Sequence, residues 1–170
     1  MSISLNMPWF VLSLSVALLL VGQTSAQVPP AIAAPGETTV ATFHAEGAQV
    51  YECKVDSGGT RVWQFREPIA TLILDGKTVG RHYAGPNWEH MDGSAVVGKA
   101  AGNAPGATPN DIPWLKLEVT SRRGNGTLSG VTTVQRINTR GGTAPGPCEA
   151  TGSLRSVSYA ADYVFLRKGN

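Results

Sequence analysis

The chain has 170 residues, 15% of them charged, and a formal net charge of +2 at pH 7. So small a basic excess, with basic doublets only at Arg122-Arg123 and Arg167-Lys168, excludes the basic stripe typical of nucleic-acid-binding proteins. No nucleic-acid partner is therefore expected, and a chain of this length favours a single domain.

The first predicted element is a signal peptide over residues 1–26. The run from Trp9 to Val21 is almost wholly apolar, and no Lys, Arg, Asp or Glu precedes Glu37. This run is too short to cross a bilayer of about 30 Å as a helix, and Thr24-Ser25-Ala26 places small residues at a cleavage site. We therefore expect a secreted, extracellular protein without a membrane span. An uncleaved anchor is the alternative, because no basic residue precedes the apolar run.

A flexible leader is expected over residues 27–36, where prolines and alanines show neither helical nor strand periodicity. The rest of the chain, residues 37–170, is predicted to form one β domain. Glycine-containing turns divide it into short runs, and Asp-Gly or Asn-Gly between apolar segments is a strong hairpin signal. These turns are Gly58-Gly59, Asp75-Gly76, Gly85-Pro86, Asp92-Gly93, Asn125-Gly126 and Gly141-Gly142.

The runs between these turns have the two-residue alternation of half-buried strands. Leu115, Leu117 and Val119 alternate with polar residues, and the last run, from Val157 to Leu166, places its aromatic residues on one face. About eight to ten short strands are expected. The predicted fold class is all-β, a single-domain antiparallel β-sandwich or barrel.

The two cysteines, Cys53 and Cys148, are predicted to form a disulfide. An even number of cysteines in a secreted chain favours pairing, and only one pairing is possible here. Two buried free thiols are the alternative. The bond would attach the Gly/Pro-rich loop that ends at Cys148 to the strand that carries Tyr51.

Four segments carry a resemblance to a known family. They are GAQVYECK (residues 47–54), GRHYAGPNWE (80–89), IPWLKL (112–117) and VQRINTRGG (134–142). In combination they resemble a family of small secreted proteins from bacteria, fungi and some plants that is catalogued only as a domain of unknown function. The resemblance implies no activity and no catalytic residue, because none is established for the family.

Some fungal proteins similar to this family are labelled malate-dehydrogenase-like. Dinucleotide binding needs a strand, a Gly-x-Gly-x-x-Gly turn and a helix that receives the pyrophosphate. The nearest segment, Gly124-Asn125-Gly126, has its third glycine at Gly130, one position late, and no helical pattern follows. A dehydrogenase is therefore rejected, and no cofactor is expected.

The densest group of reactive side chains lies between Gly80 and Ser94. His82 and His90, with Glu89 or Asp92, and His44 elsewhere, have the atom types that bind zinc or copper. Their spacing is not that of a metal motif, since eight positions and a turn separate the two histidines. Ordinary hydrogen-bonding histidines are favoured over a metal site made of His44, His82 and His90.

Glu89 and Asp92 could also form a catalytic carboxylate pair, with the pKa of Glu89 raised by the neighbouring Trp88. Asp92, however, precedes Gly93 and already has a turn-forming role. We instead expect any ligand to bind Tyr83, Trp88 and Glu89 at the Gly85-Pro86 corner. His82 alternates with Tyr83 and should point to the opposite face.

Asn125 begins an Asn-x-Thr sequon in a predicted turn, so it is a candidate for glycosylation. The chain as a whole is predicted to be a secreted extracellular binding or surface-associated module, with carbohydrate or cell-wall material as one ligand class. The first alternative is a small metal- or carboxylate-dependent enzyme centred on His82, Glu89 and His90. The second is a structural or stress-related protein without a ligand site, and the oligomeric state stays open.

Overall fold

The computed structural model describes residues 28–169, so the predicted signal peptide lies outside the described residues. In the described part a 3-10 turn over Pro30–Ile32 precedes eight strands, and no helix there is long and apolar enough to cross a membrane. The strands are β1 Glu37–Val55, β2 Arg61–Leu74, β3 Lys77–Tyr83, β4 Asn87–His90, β5 Ala95–Ala104, β6 Trp114–Arg123, β7 Thr133–Gly141 and β8 Leu154–Lys168.

The eight strands form one closed antiparallel barrel in which each strand pairs with its sequence neighbours and β8 pairs with β1. The predicted all-β single-domain fold is confirmed, and of the two architectures expected the barrel is the one formed. One end carries the β2–β3, β4–β5 and β6–β7 connections, and we call it the closed end. The opposite end carries the other four connections, and we call it the open end.

Two Asp-Gly turns form hairpins as predicted. Asp75 and Gly76 have φ of 50° and 73° between β2 and β3, and Gly93 has φ of 86° between β4 and β5. Positive φ is easily adopted by glycine and tolerated by Asp, which is why the residue pairs mark these turns. Asn125-Gly126 differs from the expected hairpin turn, because it lies within a longer connection between β6 and β7.

The β6–β7 connection fills the closed end. Leu128 and Val131 of this connection are fully buried and pack in the same core as Phe43 and Phe165. On the last strand the predicted alternation is confirmed, because Tyr159, Ala161, Tyr163 and Phe165 are all buried. The barrel is therefore filled by apolar side chains at this end.

Residues 28–36, expected to be part of a flexible leader, pack against the outer wall of the barrel. Ile32 is completely buried, Gln135 Nε2 donates a hydrogen bond to its carbonyl oxygen, and Lys116 Nζ donates to Ala33 O at 3.2 Å. Gly102 leaves room for this segment, since a Cβ there would lie 2.3 Å from Ala31 O. A segment without periodicity is thus held by one buried side chain and its backbone carbonyls.

The predicted disulfide is present between Cys53 and Cys148, whose Cα atoms are 5.7 Å apart. It joins β1 to the β7–β8 connection at the open end, as expected. The hydroxyl of Tyr51 donates a 2.7 Å hydrogen bond to Gly142 O in the same connection. The disulfide, the Tyr51 hydrogen bond and two backbone hydrogen bonds between Cys53 and residues 152 and 153 thus hold this long connection against β1.

Candidate ligand pocket in the barrel

A cavity of about 400 Å³ opens at the open end of the barrel. All eight strands contribute to it, and so does the β3–β4 turn. It is lined by Gln49, Phe65, Arg66, Pro68, His82, Gly85, Pro86, Trp88, Ala100, Leu115, Leu117, Arg136 and Tyr163. Its volume lies in the range of small-molecule sites, and eight-stranded barrels are wide enough inside to hold one small ligand.

An aromatic cluster forms the floor of this pocket. His82 and Trp88 are direct partners across β3 and β4, and their rings stack with centroids 4.5 Å apart and an interplanar angle of 9°. The ring of Tyr163 lies 4.9 Å from that of His82 and 5.4 Å from that of Trp88. Packed rings of this kind provide a rigid apolar surface.

The imidazole of His82 is uncharged in this position. Its side chain is buried, and its Nδ1–H donates a 2.8 Å hydrogen bond to Asn87 O. Burial lowers the pKa of His82 to about 3, with only partial compensation by that hydrogen bond. At neutral pH the ring is therefore an apolar surface with one remaining acceptor, Nε2.

Two buried donors of residues that line the pocket have no hydrogen-bond partner among residues 28–169. They are Nε2 of Gln49, whose side chain is 2% exposed, and Nε1 of Trp88, which is 1% exposed. A buried donor without an acceptor costs about 1–3 kcal/mol, so such groups are uncommon in a core. Both residues line the pocket, so both donors lie close to whatever occupies it.

The three residues expected to share a ligand site are not brought together. Trp88 points into the barrel with His82, whereas Tyr83 and Glu89 lie on the outer face, where the Tyr83 hydroxyl donates to Glu89 Oε2 at 3.0 Å. His82 and Tyr83 do point in opposite directions, as predicted. The expected grouping failed because Trp88 and Glu89 are themselves neighbours in β4 and so face opposite sides.

Glu89 is also held in its charged form, contrary to the expectation of a raised pKa. A hydrogen bond from Arg81 Nη2 at 3.0 Å lowers the pKa of Glu89, and the Tyr83 hydroxyl lowers it further. Arg123 Nη2 lies 3.3 Å from the same carboxylate oxygen. Trp88 lies on the inner side of the barrel wall, so it does not desolvate the Glu89 carboxylate enough to outweigh these contacts with Arg81, Tyr83 and Arg123.

The three histidines of the alternative metal site lie apart. His82 is in the pocket, His90 stacks on Phe43 toward the closed end, and His44 lies on the outer face with Nδ1 2.9 Å from Asp162 Oδ1. Within residues 28–169 no three His, Cys, Asp or Glu side chains are grouped as metal ligands. Asn125, the candidate for glycosylation, is exposed in the β6–β7 connection.

A second, outer-face groove contains the His44–Asp162 pair, which Asn138 Nδ2 supports with a 2.8 Å hydrogen bond to Asp162 Oδ2. The pairing is produced by the register of β1 with β8, in which His44 is opposite Asp162. Neither Asp162 nor Asn138 was selected from the sequence. His44 is exposed and Asp162 is partly exposed, and on its other side the imidazole Nε2 of His44 lies 3.6 Å from Glu46 Oε1, so the pair belongs to a polar network on the barrel surface.

Sequence reasoning missed Gln49, Arg136 and Tyr163 as pocket residues. The signal available in the sequence was a polar residue on the inward face of a strand. Arg136 shares a face with Val134, and Gln49 shares a face with Ala45 and Gly47. The four segments that carry the family resemblance each contribute to the pocket: Gln49, then His82 with Trp88, then Leu115 with Leu117, then Arg136. Segments far apart in the chain thus meet at one place.

Residues 34–76 and 73–167 match the family described as protein of unknown function, DUF3455. These segments together include nearly all of the barrel, the disulfide and the pocket. A search of curated proteins found no match, and a search of solved structures also found none. The chain therefore belongs to the DUF3455 family of proteins of unknown function.

Proposed function

We propose that this protein is a secreted binding protein that holds a small, largely apolar molecule in the open-end pocket. The observation that supports this most is the combination of a 400 Å³ cavity with an aromatic floor and two buried donors that have no protein partner. Small-molecule sites are typically apolar concavities with a few polar groups that orient the ligand.

This arrangement suits a small apolar ligand better than a polysaccharide. A sugar ring stacks on an exposed aromatic face, but Trp88 is 1% exposed and one of its faces is covered by His82 at 4.5 Å. The pocket is also a cavity at one end of the barrel, whereas a polysaccharide chain needs an open groove in which several of its sugar units can bind. Carbohydrate or cell-wall material is therefore the less favoured ligand class.

Binding is favoured over the alternative enzyme because the residues expected to catalyse do not meet. His82 is inside the barrel, Glu89 is on its outer face between two arginines, and His90 is stacked against Phe43. General acid–base catalysis needs such groups within hydrogen-bond reach of one substrate atom. No single substrate position satisfies that requirement for these three.

Secretion is part of the same proposal. It is supported by the apolar N-terminal run with its small-residue cleavage site, and the disulfide between Cys53 and Cys148 is compatible with an oxidising, extracellular environment. Both features are compatible with a binding protein whose ligand is extracellular.

The pocket is tested by blocking its mouth. Ala100 lines the pocket and is exposed, so Ala100→Trp should fill the entrance without disturbing the core. We expect the wild type to bind the uncharged dye phenylnaphthylamine (NPN) at one site per chain, with increased fluorescence. Ala100→Trp should weaken NPN binding by at least about tenfold, roughly 1.4 kcal/mol.

The matched control is Ala101→Trp, because Ala101 is exposed next to Ala100 but does not line the pocket. This variant should bind NPN like the wild type. A wild type that binds no NPN, or an Ala100→Trp variant that binds it normally, would contradict the proposed function.

A further inference from the structure

Arg136 provides the only positive charge that is embedded in the wall of the described pocket. On β7 it is paired with Leu115 of β6 and with Tyr163 of β8, and all three line the cavity. Arg66 also lines the pocket, but it is an exposed residue of β2, and its Nε is 3.3 Å from Glu67 Oε1. The charge of Arg66 is therefore already paired.

The charge of Arg136 is not paired within residues 28–169. Its Nε and Nη2 donate hydrogen bonds to Pro113 O at 3.1 and 2.8 Å, and no carboxylate of the described residues lies within 4.0 Å of it. A carbonyl oxygen orients the guanidinium but does not neutralise it. No Asp or Glu lines the pocket in the described part of the chain.

The other polar groups of the pocket are mainly donors. Gln49 Nε2 and Trp88 Nε1 are buried hydrogen-bond donors without acceptors. His82 adds no positive charge, because burial lowers its pKa to about 3. A guanidinium and two neutral donors around an apolar cavity complement a group with several acceptor oxygens and a negative charge.

Resting on the proposed function, we propose that the ligand is an organic acid: an apolar, ring-sized body against Trp88 and Leu115, with a carboxylate or similar oxyanion paired with Arg136. Arginine is suited to this role because its fork of donors can bind two oxygens while other N–H groups remain on Pro113. The cavity of about 400 Å³ limits the body to a few rings or a short chain.

Two dyes with the same ring system test this assignment. Anilinonaphthalene sulfonate (ANS) is anionic, and NPN is its uncharged parent. We expect the wild type to bind ANS at least about tenfold more tightly than NPN. Arg136→Gln, which keeps a donor for Pro113 O, should weaken ANS binding about tenfold or more and change NPN binding less than about threefold.

Two further variants distinguish the effect of the Arg136 charge from a general disturbance of the structure. Arg136→Lys keeps the charge without the fork and should have an intermediate affinity for ANS. Arg140→Gln removes an exposed arginine from the same strand, outside the pocket, and should bind both dyes like the wild type. Retained NPN binding by Arg136→Gln shows that this variant is folded.

Naphthoate and its methyl ester provide a test on the wild type alone, through competition with bound NPN. The acid should compete at least about tenfold better than the ester. Equal competition, or equal binding of ANS and NPN that Arg136→Gln does not change, would overturn the anionic ligand and leave the pocket proposal standing. A wild type that binds neither dye would overturn both proposals.

Discussion

Asp92 connects two loops of the closed end through one carboxylate. Its Oδ1 accepts hydrogen bonds from Ser94 N at 2.9 Å and Ser94 Oγ at 2.6 Å, and its Oδ2 accepts from Thr127 N and Oγ1 at 2.7 and 2.8 Å. Ser94 Oγ in turn accepts from Leu128 N. The turn predicted from Asp92-Gly93 is therefore also the anchor of the connection that fills the barrel end.

We expect Asp92→Ala to lower the free energy of unfolding by about 2 kcal/mol at pH 7, because hydrogen bonds to a charged acceptor are lost. These bonds, first that from Ser94 Oγ and then that from Thr127 N, hold the pKa of Asp92 well below its usual range. The stabilisation should be complete above the unfolded-state pKa of about 4 and should decline as the pH falls below it.

Urea unfolding of the wild type and Asp92→Ala between about pH 7 and pH 3 measures this effect, and the difference between the two stabilities should become smaller toward pH 3. Asp56→Ala is the control, since Asp56 accepts hydrogen bonds only within its own β1–β2 turn, from Gly58 N and Thr60 N. It should lose less than Asp92→Ala. A constant difference between Asp92→Ala and the wild type across this pH range would contradict the role of the charged carboxylate.

At the scale of the elements, the alternation of inner and outer side chains decides what each strand contributes. In β3 and β4 it sends His82 and Trp88 inward, and Tyr83 and Glu89 outward. The β7–β8 connection, in contrast, has no strand pairing of its own along most of its length. It is held against β1 by the Tyr51 hydrogen bond, the disulfide, and backbone hydrogen bonds of Cys53 with Gly152 and Ser153.

Replacing both cysteines, Cys53→Ser with Cys148→Ser, should therefore lower the free energy of unfolding by about 2–5 kcal/mol. The bond joins residues separated by 95 positions, so its loss increases the conformational entropy of a large part of the unfolded chain. Thermal unfolding of the variant, and of the wild type with and without reductant, measures the change. Reduction should lower the wild-type midpoint and leave that of the variant unchanged. Equal midpoints for wild type and variant would contradict a stabilising bond.

For the molecule as a whole, closure of the sheet creates both the core and the pocket. The closed end is filled by Leu128, Val131, Phe43 and Phe165, whereas the open end keeps a cavity above His82 and Trp88. A closed barrel has no exposed sheet edge at which another chain could add a strand. Ile32 and its neighbours add one outer layer on β5 to β7.

The secretion proposal concerns the sequence with residues 1–26 included. When the full sequence is expressed in a secreting host, the protein recovered from the medium should begin at Gln27, because cleavage is expected after Ala26. Mass spectrometry of the intact protein and of its N-terminal peptide measures this. Retention of the chain in the membrane fraction with residues 1–26 attached would favour the uncleaved anchor instead.

Much of the fold was predictable because its signals are local. The Asp-Gly turns follow from the positive φ that these residues tolerate, and the strands follow from alternating apolar residues such as Leu115 and Leu117. The ordered contacts of residues 28–36 were not predictable. Only one side chain of this segment, Ile32, is buried, and the segment has no regular spacing of apolar residues that would indicate it.

The sequence by itself determined an antiparallel β protein with one possible disulfide, and it located a dense group of polar and aromatic residues around Gly85-Pro86. Only the tertiary structure decided which side of each strand faces inward, because alternation defines two faces without naming the buried one. Closure of β8 on β1 then brings Gln49, Trp88 and Arg136 around one cavity. Their convergence depends on pairings between distant segments, which no local pattern encodes.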